Sequence, residues 1–171
     1  MRKNLITPTR QSDQHSDREW LVLDEVASVE VTSEAEGYPV EGALSGQGER
    51  GWRADTPGSQ TIRLRFDTPL TIRFIRLVFR EEQFSRTQEF VLRWLPAQGA
   101  DWRDIVRQQW NFSPPHTVLE CEEYKVDLAS AVALELTINP DISQVGSRAS
   151  LQRWQLSVEQ DTNRRAGEPT R

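Results

Sequence analysis

Apolar residues recur at every second position along most of this chain. Ala27, Val29 and Val31 alternate with Ser28, Glu30 and Thr32, and Ile62, Leu64 and Phe66 alternate with Arg63 and Arg65. Phe90, Leu92 and Trp94 alternate with Val91 and Arg93; Val132, Leu134, Leu136 and Ile138 follow the same rule, as do Trp154, Leu156 and Val158. Successive side chains of a strand point to opposite faces, so a period of two predicts strands with one buried face. The run 72–79 is also strand-like, but its apolar register shifts between Phe74 and Ile75. That shift predicts a bulge or a strand covered on both faces. Turn residues punctuate the runs at 37–39, 46–51, 56–58, Asp67-Thr68-Pro69, 98–99, 113–115 and 139–141. The segment 101–109 fits either helical turns or a loop entering a strand. Seven or eight short strands without a long amphipathic helix predict an all-β sandwich or barrel.

A chain of 171 residues can fill one core. The alternating body runs from 20 to 159; residues 1–19 read as a flexible polar arm and 160–171 as a disordered tail. The apolar stretches are a few residues long, far short of the ~20 a helix needs to cross a bilayer, so no membrane insertion is expected. Arg2 and Lys3 are not followed by an apolar core, which predicts no secretory signal and a cytoplasmic protein. A net charge of −5 disfavours nucleic acid as a partner, since backbone binding needs a basic footprint. One cysteine and two histidines make neither an internal disulfide nor a usual Cys/His zinc site. Lys3 and Lys125 are the only lysines among 21 Lys and Arg, so 19 are arginines. Several fall at outward strand positions, including Arg63, Arg65 and Arg93, where the apolar stem covers the sheet and the head pairs with Glu or Asp.

The order of motifs resembles the discoidin family, the coagulation-factor C-type modules of the galactose-binding-like superfamily. Pro39-Val40-Glu41-Gly42-Ala43-Leu44-Ser45-Gly46 is similar to the family's P-x-x-A-L-D-G loop, and Gly51-Trp52-Arg53-Ala54 follows where the family has W-x-S/A. Gln60 to Phe66 resembles W/Q-I-x-L-D-F, 72–79 the strand with I-x-x-I-x-L, and Phe90 to Trp102 the segment F-x-L-x-x-S-x-D-G-x-x-W; Ala149-Ser150-Leu151 opens the closing strand. The resemblance covers residues 22–159. It implies a jelly-roll β-sandwich of about eight antiparallel strands, with ligand loops at one end and binding rather than catalysis as its work. Ligands of the family include glycans, phospholipid head groups and proteins. The family's structural calcium is not expected, because Ser45 stands at the Asp position of its loop and Arg153 at the strand-start Glu. No cofactor is expected.

No catalytic motif is present. His15 and His116 read as solvated, and Cys121, alternating with Leu119, as a small buried hydrophobe. Glu120, Glu122 and Glu123 admit a glycosidase-like carboxylate pair, but a solvated acidic face paired with arginines fits better. The connection Arg80-Glu81-Glu82-Gln83-Phe84-Ser85-Arg86 is the leading candidate site. Arg80 and Arg86 can donate to hydroxyls or clamp a carboxylate or phosphate, Glu81 and Glu82 can accept, and Phe84 can stack on a sugar. The alternative is a solvated hairpin with internal Arg–Glu pairs. Trp52 with Arg53 is the second candidate, as an exposed platform. Taken with the resemblance, these residues predict a non-catalytic module binding a glycan or sugar-like molecule; the competing expectation is an intracellular protein-interaction domain.

Overall fold

The computed structural model describes residues 18–45, 50–99 and 101–159. Residues 1–17 of the expected arm with His15, Gly46 of the candidate loop motif, and the tail 160–171 lie outside the described residues. The elements in chain order are α1 (Leu23–Val26), β1 (Ala27–Val31), α2 (Glu41–Leu44), β2 (Trp52–Arg53), β3 (Gln60–Arg80), β4 (Arg86–Pro96), β5 (Arg103–Phe112), β6 (Leu119–Asn139), β7 (Ser150–Leu151) and β8 (Arg153–Ser157). The main sheet has the order β1-β3-β6-β4-β5, with β8 also on β3, and β2 pairs β7 separately. All these strand pairs are antiparallel.

The long strands β3 and β6 join the two halves of the molecule. Residues 62–66 of β3 pair with β1 and residues 74–78 with β8, so one strand edge serves two partners in succession. Between them, Arg65 faces Ala133 and Leu70 faces Ala131, so four residues of β3 stand opposite one of β6. The excess bulges outward as exposed Asp67, Thr68 and Pro69. Proline is tolerated there because the interrupted ladder asks for no N–H. The chain thus continues as a bent strand where the turn residues alone predict a break. Further register shifts run to Phe74, matching the expected change of face at Phe74–Ile75.

Both halves of β3 feed one core. Ile62 and Leu64 from the first half, and Ile75, Leu77 and Phe79 from the second, are buried with Phe90, Leu92, Leu134, Leu136, Ile138 and Trp154. The Phe79 and Phe90 rings stack with centroids 5.1 Å apart. The segment 101–109 resolves in favour of a strand, as part of β5.

Two sequence expectations fail at the start of β6. Cys121 and Leu119 are exposed, and Glu120 is fully buried. Glu120, Glu122, Tyr124, Val126 and Leu128 share the inward parity, so the face reading there was inverted by one residue, which reverses every side chain of a strand. Among the described residues Glu123 is the one of the three that pairs with an arginine as expected, Arg76 at 2.5 Å. Glu122 accepts a hydrogen bond from Gln108 Nε2. Burial, with the neighbouring Glu122 charge, pushes the Glu120 carboxyl up to about 8.

The outward arginines form the expected ion pairs. Arg63 bridges Glu30 at 3.0 Å and Glu135 at 2.5 Å, across β1, β3 and β6. Its partners sit directly opposite it in the strand register. Arg65 also reaches Glu30, Arg73 reaches Asp127, and Arg107 reaches Glu89.

Candidate functional site

The connection from β3 to β4 is shaped by Glu81. Its Oε1 accepts hydrogen bonds from the backbone N–H groups of Gln83 and Phe84, both at 2.9 Å, while its own N–H donates to the Val118 carbonyl. That side-chain cap satisfies the turn's amides, and Phe84 is left 66% exposed. Parity fixes the flanking arginines. Ile75, Leu77 and Phe79 face inward, so Arg80 faces out; Gln88, Phe90 and Leu92 face inward, so Arg86 does too.

Arg80 and Arg86 are therefore not equivalent. Arg80 is exposed and meets Glu82 at 3.0 Å. Arg86 is only 7% exposed; it pairs with Glu81 Oε2 at 3.2 Å and donates to the Arg148 carbonyl at 2.9 Å and Ser150 Oγ at 3.4 Å. One guanidinium thus ties the β3–β4 turn, the β6–β7 loop and β7 together. Burial lowers its pKa and the Glu81 charge raises it in partial compensation. The expected role of Arg86 as a freely available donor gives way to that of a clamp, because strand alternation turns it toward the core.

Trp52 is likewise corrected. It is 1% exposed, and its indole N–H donates to the Ser33 carbonyl at 3.0 Å, so it packs in the core and is not an exposed platform. Arg53, next on the short strand, faces out with its guanidinium 4.6 Å from the centre of the Tyr38 ring. Gly51 has φ of +65°, and a Cβ there would lie 2.5 Å from the Leu151 carbonyl oxygen. That contact lets β2 lie close against β7, and only glycine permits it.

These pieces surround one cleft of about 620 Å³. Arg80, Glu81, Glu82, Phe84, Arg86, Trp52 and Arg53 all line it, together with Tyr38, Arg50 and residues 144–148 and 150–152. The two loops that the sequence offers separately line one space in the structure. Sequence reasoning missed Tyr38, Arg50 and the loop carrying Val145 and Arg148. The available signal was Val145, a lone apolar residue in the polar run Ser143-Gln144-Val145-Gly146-Ser147, and it is fully exposed.

No family model matches the chain, and no curated protein matches its sequence. Solved structures do. The Clostridium perfringens module CpGH89CBM32-5, in complex with GalNAc-β-1,3-galactose, aligns over 81% of this chain and 99% of its own, at 16% identity and a TM-score of 0.62. CBM32-3 from a family 31 glycoside hydrolase of the same organism covers 82% and 95%, at 14% identity and TM-score 0.60. The family 32 module of its NanJ, in complex with galactose, covers 80% and 96%, at 13% identity and TM-score 0.59. The fold is that of the discoidin-like family 32 carbohydrate-binding modules. The family 32 fold accounts for the β-sandwich expected from the motif order, and such modules occur as parts of larger enzymes.

The two positions where the resemblance would place acidic calcium ligands do not favour the ion. Helix α2, which ends at Leu44 beside Ser45, packs against β8, which begins at Arg153. The two positions expected to be acidic hold a hydroxyl and a cation, poor donors for a hard ion.

Proposed function

We propose that this chain is a non-catalytic saccharide-binding module acting through the cleft at the β3–β4 end. The observation that carries the reading is the lining of that cleft: an exposed aromatic ring, Phe84, beside the outward donors Arg80 and Arg53 and the acceptor Glu82. A sugar presents an apolar ring face and a rim of hydroxyls, so it needs a surface to stack on and charged or polar partners around it. Each hydroxyl buried without a partner costs about 1–3 kcal/mol, and this lining supplies both donors and acceptors. Glycoside cleavage requires one carboxyl free to give a proton and another free to attack or to activate water. Among the described residues the cleft carboxylates are engaged instead, Glu81 with Arg86 and two amides, Glu82 with Arg80.

The test is a glycan array of neutral and acidic saccharides followed by titration of the retained ligand. Phe84→Ala and Arg80→Ala are expected to weaken binding about ten-fold or more, ~1.4 kcal/mol each, with the melting temperature unchanged. No glycan retained at millimolar concentration overturns the reading. Phe84 and Val145, both standing out at the cleft rim, favour a protein partner as the second reading, and native-gel controls beside the array separate the two.

A further inference from the structure

The charge of the cleft opposes that of the chain. The protein carries −5 overall, yet among the described residues five arginines line the cleft against two glutamates. The two glutamates are already engaged. Glu81 faces the buried Arg86 and Glu82 faces Arg80, which leaves Arg50, Arg53 and Arg148. All three are exposed, and among the described residues none has a carboxylate within ion-pair distance. Arg53 rests on the Tyr38 ring, which holds its guanidinium in place without neutralising it. The Arg148 carbonyl accepts from the Arg86 clamp, which places the Arg148 backbone at the cleft. On the sheet, Arg63, Arg65, Arg73 and Arg107 each have a carboxylate within 3.0 Å, whereas Arg103, over the Trp94 ring, has none among the described residues, so what sets the cleft apart is three such arginines around one space.

We infer that the cleft selects saccharides bearing an anionic substituent, a carboxylate or a sulfate, over their neutral counterparts. The inference rests on the saccharide-binding reading above and adds the ligand's charge. A planar guanidinium can meet a carboxylate or sulfate with two parallel hydrogen bonds, and such charge-assisted contacts are roughly twice as strong as neutral ones. Phe84 would take the ring face while Arg50, Arg53 and Arg148 take the charged group.

The test uses the full chain in calorimetric titrations with oligogalacturonate, a sulfated galacto-oligosaccharide and a neutral galacto-oligosaccharide of equal length. One or both acidic ligands are expected to bind at least ten-fold tighter than the neutral one, and the arm that does so names the substituent. That preference should shrink as sodium chloride rises from 50 to 500 mM, because a counter-ion competes for the same arginines. The double variant Arg53→Gln/Arg148→Gln should lower the acidic-over-neutral ratio ten-fold or more. Equal binding of acidic and neutral ligands, with no salt dependence, overturns the charge inference and leaves saccharide binding standing. Failure to bind any of the three, with none found on the array, overturns both. Equal retention of a single-stranded oligonucleotide of similar charge would mean that charge alone attracts the ligand, and would also overturn it.

Discussion

The arginines of the sheet face and those of the cleft are the same residue put to opposite uses. On the face, Arg63 lies between Glu30 and Glu135, and each charge is met by a strand neighbour in register. These pairs hold the Glu30 carboxyl below its usual range, chiefly through the Arg65 hydrogen bond. At the cleft, the buried Arg86 has a carboxylate partner and the outer Arg50, Arg53 and Arg148 have none among the described residues. A paired guanidinium on a sheet contributes modestly to stability and offers little to a ligand. An unpaired one resting on a ring, as Arg53 rests on Tyr38, remains available. Composition records both as arginine, and only the position of the carboxylates separates them.

The comparison breaks most readily at Arg86. If it clamps the β3–β4 turn, the β6–β7 loop and β7, Arg86→Ala should cost about 3–5 kcal/mol in urea unfolding, because it strands the nearly buried Glu81 carboxylate without its cation. Binding then fails through the collapse of the turn that presents Phe84. A loss below about 1 kcal/mol would return Arg86 to the class of surface donors.

A buried carboxyl without an arginine sharpens the same contrast. Among the described residues Glu120 has no guanidinium partner, and Gln88 Nε2 reaches its Oε2 only at 3.4 Å. Its folded pKa is raised to about 8 from an ordinary 4.5, with burial the largest cause and Glu122 adding to it. Between those values the folded state holds a proton that the unfolded state has released, so stability should fall as pH rises from about 4.5 to 8. Urea unfolding at pH 5 and pH 8.5 should show that decline. Glu120→Gln, which keeps the shape and removes the titration, should remove most of it; an unchanged slope would mean that Glu120 ionises freely.

The smallest effect belongs to the sheet face. Arg63→Gln should cost about 1 kcal/mol or less by the same unfolding measurement, since its ion pairs are partly exposed. It should leave saccharide affinity unchanged, because Arg63 lies outside the cleft. Equal losses of binding from Arg63→Gln and Arg53→Gln would show that net charge, not a defined site, controls the ligand.

Much of this molecule is legible in the residues themselves. Alternation at 27–31, 62–66 and 90–94 marks the strands, because a strand has only two faces and burial selects one. The same parity assigns Arg80 outward and, carried two residues back from Gln88, Arg86 inward. Parity does not say which of two mixed faces is buried, and at 119–124 both carry polar and apolar groups. Only packing against β5, where Gln108 meets Glu122 and Tyr124, decided that Glu120 turns in and Cys121 out. The cleft was likewise a tertiary outcome. Tyr38, Arg53, Phe84 and Arg148 are far apart in sequence, and the pairing of β2 with β7 and the Arg86 clamp bring their loops to one end. Local pattern fixes the direction of a side chain from its own strand; which charges meet depends on contacts between distant segments, and no local period encodes them.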